Sequence, residues 1–535
     1  MTGAQAQSAA ANPAGAAWRL AALTALAMAL TALTAAGPTL HLAYGGWMLW
    51  GIFAAGGAGI WAALRLADKV DARHALLVIL VGALAMRLAL LFAAPYLSTD
   101  IYRYVWDGRI QAAGINPYRY MPAAPELAPL RDTAIFPNIN RPDTAVTIYP
   151  PAAQAVFLVV TRILGESVVA MKLGLIAFEA LTVAALIGLL RRLGQPLARV
   201  AVYAWHPLAI WEIAGSGHID AAMSALLIAG LSLFLRGSSA PLPPSAFRAE
   251  RNGVTGGRGL QRVNNADTTT DIAPGQHSAR RGPSPQPAPR KRGEGARRRL
   301  DDASRCKPTL LAGFVVTLAA LIKPTALLAL PVLWRPWNWR LPAVVALTIG
   351  LAYLPYLSVG RGVLGYLGGY IGEEGFASGQ GFALLWLMES YTGFLPSAVY
   401  VYAAIAAAVM AGLALAVGFR RDRSARTAVI CLSWLLATFL ILSSPHYPWY
   451  FLPLVPMLAL YPMATGWVLT LGAPLLYDSA AGTGWLDANV RLALITFAPV
   501  AALAFDAWRL RRFPLNRNAA GETHARNPVG AADPA

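Results

Sequence analysis

The sequence predicts an all-α protein, a polytopic transmembrane helix bundle of about 14 spans with two partly embedded short helices. The composition is 57% hydrophobic and only 13% charged, whereas soluble domains carry about 25% charged residues. The apolar residues lie in long runs such as 75–95 and 397–419. Because a bilayer core of roughly 30 Å requires about 20 apolar residues in a helix, these runs predict membrane-spanning helices.

The individual crossings follow from the apolar runs and the breaks between them. Proline, glycine and charged residues mark the ends of the runs, and some of the segments are short for a span. The predicted crossings lie near 17–36, 45–64, 75–94, 167–190, 199–214, 219–235, 308–322, 324–335, 341–357, 397–418, 427–443, 447–462, 464–478 and 488–508.

Two further apolar segments, 152–164 and 382–395, are too short to span a bilayer. If neither crosses, the basic clusters between the helices all face one side, which the positive-inside rule identifies as the cytoplasm. We therefore expect both segments to be partly embedded at the outer side and both termini to be cytoplasmic. The alternative is that both segments cross and some basic clusters break the rule.

The formal net charge of +18 has a local origin. The segment 236–307 contains 15 Lys or Arg and 6 Asp or Glu residues, and it lacks a hydrophobic period. We interpret it as a disordered cytoplasmic loop, or alternatively as a segment that touches anionic lipid headgroups. Since the remaining basic residues cap helix ends, the charge does not indicate nucleic-acid binding.

This loop divides the chain into two transmembrane parts. The predicted organisation is a cytoplasmic tail at 1–16, an N-terminal transmembrane part at 17–235 with an outer loop at 95–151, the loop 236–307, a C-terminal transmembrane part at 308–508 and a cytoplasmic tail at 509–535.

The outer loop 95–151 is the most informative segment. It contains five acidic and five basic residues with many aromatics, and long loops held by a rigid scaffold often carry function. Its piece Ile101–Ala113 can form an amphipathic helix on the membrane surface.

Asp100 precedes this piece. Asp100 could act as a general base toward an acceptor hydroxyl or as the N-cap of the helix, and taken alone the cap is favoured.

Three other polar groups interrupt apolar segments near the same face. His218 and Asp220 lie in the turn GSGHIDA, either as a substrate-binding site or as a helix cap with the histidine packed against it. Lys323 precedes Pro324 inside an apolar run and could bind phosphate or snorkel to the headgroups. His446 could bind phosphate or rest among interfacial aromatic residues. Together with a carboxylate base, such cations suit glycosyl transfer from a lipid phosphate, because they stabilise the charge on the departing group.

Four sequence blocks resemble a known family. They are TDIYRYVWDGRIQAAGINPYRY at 99–120 followed by YPPAAQ at 149–154, WHPLAIWEIAGSGHIDA at 205–221, LIKPTALLALPVLW at 321–334 and PHYPWYFLPLVPML at 445–458. In this order they resemble the GT-C superfamily of integral-membrane glycosyltransferases, in particular glycosyltransferase family 87 and the polyprenyl-phosphomannose-dependent mannosyltransferases. His206 is a departure, since an asparagine usually precedes the proline there.

The resemblance implies an active site in the first outer loop, a polyprenyl-phosphate sugar as donor, an inverting mechanism and Asp100 as the catalytic base. It implies a hexosyltransferase, with mannose as the expected sugar and a glycan or lipid as the acceptor. Membrane lipids are further partners, and the inner (plasma) membrane of a bacterial cell is the expected location. We expect no cofactor and no metal, because no second acidic residue lies close to Asp100 in the loop.

The roles of the other candidate residues are assigned by residue type. The predicted phosphate contacts are Arg103, Lys323 and His446. The predicted acceptor or sugar contacts are Tyr102, Trp106, His218 and Asp220.

Two other functions compete with the enzyme. A transporter or flippase would show paired repeats and charges at the midplane, whereas this sequence shows no clear repeat and gathers its charges at one face. A non-catalytic membrane partner protein would not need Asp100.

Overall fold

A computed structural model of the protein describes residues 13–44, 47–95, 97–236, 307–393, 397–477, 486 and 488–512. Within these residues every regular element is helical and no strand occurs. The predicted all-α class is therefore confirmed.

The structure contains helices of very different length. The longer ones are α1 Pro13–Tyr44, α2 Trp47–Ala67, α3 Ala72–Leu91, α4 Asp100–Ala112, α5 Pro151–Leu164, α6 Val168–Arg192, α7 Asp220–Arg236, α8 Lys307–Ala320, α9 Arg340–Tyr353, α10 Leu367–Glu373, α11 Ala383–Thr392, α12 Ala398–Gly418, α13 Ala425–Ser443, α14 Leu454–Leu460, α15 Ala464–Leu471 and α16 Ala488–Arg512. Shorter α-helices and segments of 3₁₀- or π-helix lie at Pro125–Leu130, Phe136–Asn138, Leu197–Val200, Ala201–Ala204, Pro207–Ala209, Ile210–Gly215, Pro324–Ala329, Leu330–Leu333, Leu354–Leu364, Pro448–Phe451 and Ala473–Leu476.

Eight stretches of the described chain are long and apolar enough to cross a membrane. They are Gly15–Leu40, Trp47–Ala67, Ala72–Leu91, Val168–Arg192, Arg340–Glu373, Ala398–Gly418, Ala425–Ser443 and Val490–Arg512. These helices identify a membrane protein, and they coincide with eight of the predicted crossings. The total of about 14 spans is not confirmed.

The other six predicted crossings are shorter or broken helices. Prolines explain part of this, because a proline cannot donate the helical hydrogen bond and disfavours helix at the preceding residue. Pro207, Pro324 and Pro448 each begin a short helical turn. Whether the segments 199–214, 219–235, 308–322, 324–335, 447–462 and 464–478 cross stays a prediction.

The two segments predicted to be partly embedded are short helices. α5 has 14 residues and α11 has 10, so both fall short of a span. Their depth and side, like the cytoplasmic location of the termini, remain predictions. Residues 1–12, 237–306 and 513–535 lie outside the described part of the chain, and with them most of the predicted disordered loop and tails.

Helix α4 is packed inside the protein. Ile101, Tyr104, Val105 and Trp106 are all buried, and Tyr104 stacks on Phe157 of α5 with ring centroids 4.6 Å apart. The sequence had predicted a helix on the membrane surface. The helix is present, but neighbouring helices and the rest of the outer loop cover its aromatic side chains.

Two buried basic side chains hold together the helices α3 and α6 next to α4. The Arg87 guanidinium donates to both oxygens of Glu179, at 2.8 and 3.3 Å, and also to the Ala204 carbonyl, so it joins α3 to α6. The Lys172 ammonium donates to the carbonyls of Leu90 and Ala93 at 3.2 and 2.7 Å. Because these carbonyls lie in the last turn of α3 and just after it, Lys172 joins α6 to the start of the loop 95–151.

The contact between α4 and α5 generates a stability prediction. A Cβ atom at Gly108 would meet the Thr161 side chain and lie 2.7 Å from the Phe157 carbonyl oxygen, whereas one at Gly188 of α6 meets nothing within 4 Å. Gly108→Ala should cost about 1–3 kcal/mol through overpacking. Gly188→Ala should be neutral or gain up to about 1 kcal/mol from helix propensity. Thermal unfolding of the purified variants in detergent measures both, and equal midpoints would contradict the close contact.

Candidate active site

Asp100 is the first residue of α4 and is half-buried. Its Oδ1 atom accepts a hydrogen bond of 2.8 Å from the Asn140 amide, so the far end of the outer loop holds the carboxylate. Burial raises the pKa of Asp100 above its ordinary value, while the positive charge of Lys323 and the hydrogen bond from Asn140 act to lower it. Asp100 therefore lies in electrostatic contact with a cation from the second half of the chain.

Lys323 forms a buried ion pair with Asp220. The Lys323 Nζ atom lies 2.7 Å from Asp220 Oδ2, and the two side chains are 13% and 1% exposed. The ammonium also lies 4.6 Å from the ring centroid of Tyr450. Three segments far apart in sequence therefore meet at Lys323. Helix α8 ends at Ala320, which leaves the lysine in the break before Pro324.

Behind this pair lies a second buried polar group. The His218 imidazole stacks on Trp449 with centroids 4.1 Å apart, and its Nε2 atom lies 3.4 Å from Glu212 Oε2. The Tyr477 hydroxyl donates to Glu212 Oε1 at 2.6 Å. His218 is only 1% exposed. It is therefore placed to hold Trp449 and the turn that carries Asp220.

This turn touches α4 directly. Gly217 has a φ of +78°, and a Cβ atom at this position would collide with Ile101. Only glycine combines the left-handed backbone with so close an approach. The contact places the Asp220 turn beside the helix that begins at Asp100.

Two further pairs of basic and acidic side chains lie next to this cluster. Arg141 Nε lies 2.6 Å from Glu373 Oε2, and His446 Nδ1 lies 3.2 Å from Glu374 Oε2. His446 is 39% exposed, and Glu374 is 6% exposed. The segment that contains α10 thus contacts both the outer loop and the loop before Pro448.

Arg103 and Trp106 are placed differently from the other predicted residues. The Arg103 guanidinium donates to Asp107 Oδ1 at 2.9 Å and to the Ala145 carbonyl at 3.2 Å. Trp106 is 0% exposed and packs against Phe136. Both side chains stabilise the outer loop, and a phosphate contact for Arg103 and a sugar contact for Trp106 stay predictions. Tyr102 is partly buried against the core.

The structure therefore brings Asp100, Asp220, Lys323, His218 and His446 into one cluster. Sequence reasoning missed several of their partners: Asn140, Arg141, Glu212, Glu373, Glu374, Trp449 and Tyr450. Glu212 and Tyr450 lie inside the sequence blocks that carry the resemblance, which could have drawn attention to them. His206 caps the following turn, since its Nδ1 atom accepts from the Leu208 amide at 3.3 Å, and this is a task that asparagine also performs.

In the described part of the chain, no group of three or more His, Cys, Asp or Glu side chains could hold a metal ion. Lys323 and Arg141 carry positive charge into the cluster. They can neutralise a phosphate, and Asp100 can accept a proton.

One family comparison identifies relatives of this chain. A family model described as "Alpha-(1->6)-mannopyranosyltransferase, N-terminal domain" matches residues 5–340, which is well over half of the chain. The matched stretch includes Asp100, Asp220 and Lys323, and the segment with His446 lies beyond it. The match confirms the predicted kinship with mannosyltransferases and is consistent with the GT-C superfamily. Comparisons with curated proteins and with solved structures give no match.

The Lys323–Asp220 pair yields a prediction about stability. Lys323→Met or Asp220→Leu alone leaves one buried charge without its partner and should cost about 3–5 kcal/mol. The double variant removes both charges and should be more stable than either single variant. A double-mutant cycle of thermal unfolding in detergent measures this, and purely additive losses would contradict the pairing.

Proposed function

Because this chain belongs to the alpha-(1->6)-mannopyranosyltransferase family, we propose that it transfers mannose from a polyprenyl-phosphate donor to the 6-hydroxyl of a glycan or lipid acceptor. Family membership and the apolar helices make it a membrane glycosyltransferase. The lipid donor, the acceptor and the outer face of the membrane as the place of reaction are the proposed refinements.

The stereochemistry of the reaction defines the donor further. In an inverting transfer the acceptor oxygen attacks C1 of the sugar from the face opposite to the leaving group. An α-(1→6) product therefore requires a β-linked mannosyl phosphate. The C1–O bond to phosphate breaks as the bond from the acceptor O6 to C1 forms, and the polyprenyl phosphate leaves with the bonding electron pair.

Asp100 is the proposed general base. It would accept the proton of the acceptor 6-hydroxyl as that oxygen attacks C1, and later release it to solvent or to the departing phosphate. The observation that carries this assignment is the position of its carboxylate, which is half-buried, held by Asn140 and in the electrostatic field of Lys323. A raised pKa improves a carboxylate as a base, provided that it is ionised at the working pH.

Lys323 and His446 are the proposed contacts of the leaving phosphate. Negative charge grows on this group as the C1–O bond breaks, and a fixed cation stabilises that charge in a poorly solvated site. Asp220 and Tyr450 hold the Lys323 ammonium in place. His446 contacts Glu374 and is 39% exposed, so an incoming ligand can reach it.

The remaining predicted contacts support these groups. Tyr102 is proposed as an acceptor or sugar contact, because it is only partly buried. His218 and Asp220 are proposed to act through Trp449 and Lys323, since both side chains are almost fully buried. A donor with its own membrane anchor suits a site built between apolar helices.

The test is mannosyl transfer by protein reconstituted in lipid with β-mannosyl polyprenyl phosphate. Asp100→Asn keeps the size of the side chain but cannot act as a base, so kcat should fall about 10²- to 10⁴-fold. Asp143→Asn makes the same chemical change at an exposed position of the same loop and should transfer at the wild-type rate. Equal turnover of folded Asp100→Asn and wild type would remove Asp100 as the base.

The pH profile supplies a second test. The base must be deprotonated, so kcat/KM should fall as the pH decreases through the pKa of Asp100, which burial raises above that of an ordinary aspartate. The Asn140 hydrogen bond stabilises the charged form, so Asn140→Ala should shift this acidic limb to higher pH. Asn138→Ala, which removes an amide that donates to the Ala134 carbonyl, should leave the limb in place. A shift toward lower pH in Asn140→Ala would contradict the assignment.

A further inference from the structure

Two consecutive carboxylates each contact a different basic side chain next to the site. Glu373 pairs with Arg141 of the outer loop at 2.6 Å, and Glu374 pairs with His446 at 3.2 Å. Glu373 also accepts a hydrogen bond from the Tyr366 hydroxyl. One short segment therefore bridges two parts of the chain that are 305 residues apart in sequence.

These pairs lie close to the proposed reacting groups. Arg141 follows Asn140, whose amide holds Asp100. The Tyr370 hydroxyl is 2.5 Å from the Tyr450 hydroxyl, and the Tyr450 ring contacts Lys323. The segment that carries Glu373 and Glu374 thus lies beside the residue that holds Asp100 and beside the residue that contacts Lys323.

The backbone of Arg141 is unusual. Its φ of +51° lies in the left-handed region, which residues other than glycine rarely adopt. Such strain persists where the surrounding structure holds it, and it concentrates at ligand sites. The strained backbone places the guanidinium, which is 37% exposed, against Glu373.

Each of the three basic side chains at the site lies beside a carboxylate. Lys323, Arg141 and His446 are each paired with a carboxylate, namely Asp220, Glu373 and Glu374. An incoming phosphate must therefore exchange with one of these carboxylates. Asp220 is buried and forms an ion pair with Lys323, whereas Glu373 is 36% exposed. An ion pair this open is weak and exchanges readily.

We propose that Glu373 occupies the anion position that the phosphate of the lipid donor takes, so that donor binding displaces it from Arg141. This inference rests on the proposed function for the identity of the donor. A phosphate can engage the planar guanidinium of Arg141 through two parallel hydrogen bonds. Displacement needs only the Glu373 side chain to turn away from Arg141, because both side chains are more than one-third exposed.

Donor binding and carboxylate displacement then occur in a defined order at the site. Before the donor binds, Glu373 neutralises Arg141. The phosphate then takes the place of Glu373 and leaves the mannosyl C1 near the Asp100 side of the cluster. Arg141 thereby becomes a further phosphate-binding residue, and Glu373 becomes a residue that sets the affinity for the donor.

The experiment measures binding of decaprenyl monophosphate, the mannose-free product lipid, to the full chain in phosphatidylcholine nanodiscs. Glu373→Gln removes the competing charge, so the Kd should fall about three- to tenfold. Arg141→Gln should raise the Kd by about tenfold or more, and Arg141→Lys should recover part of that loss because it keeps the charge without the bidentate geometry. Glu126→Gln, an exposed position of the outer loop, is the matched control and should leave the Kd unchanged.

Three results would overturn the proposal. The first is a Glu373→Gln protein with unchanged or weaker binding, and the second is an Arg141→Gln protein that binds as wild type does. The third is an equal gain for phosphatidylglycerol in nanodiscs without decaprenyl phosphate, which would assign the site to ordinary lipid phosphate. Because binding needs no mannose, the expected Kd changes without any mannosyl transfer would reject the proposed function and leave this inference standing.

Discussion

The architecture of the site depends on one constraint, which is that a lysine in an apolar segment must find a counter-charge. Lys323 meets it through Asp220 at 2.7 Å, and this pair joins the N-terminal and C-terminal parts of the chain across the segment 237–306. The turn that carries Asp220 must then pack against α4, which the close approach of Gly217 to Ile101 allows. The ion pair therefore sets the distance between the cation and the proposed base.

Much of this arrangement could be predicted from the sequence because it rests on local patterns. Apolar runs located the long helices, and charged residues inside apolar segments marked Asp220 and Lys323. Each charged residue was ambiguous by itself, as the cap alternative for Asp100 shows. Their occurrence in four ordered blocks removed part of that ambiguity, and the family match to residues 5–340 agrees with it.

The rest could not be predicted because it depends on contacts between distant residues. Arg103 and Trp106 looked available in a polar, aromatic loop, yet neighbouring helices bury both and Asp107 binds the arginine. A helix of this length is amphipathic whether water, lipid or protein covers it. The pairs made by Arg141 and His446 follow no sequence period, since their partners come from a Gly-rich segment with no assigned role.

The central claim is an inverting transfer of mannose from a lipid phosphate. The most direct measurement is the linkage and anomeric configuration of the product formed from β-mannosyl polyprenyl phosphate labelled with ¹³C at C1, determined by NMR. The account predicts an α-linked mannose on the 6-hydroxyl of the acceptor. A β-linked product, or transfer only from a nucleotide sugar, would contradict it.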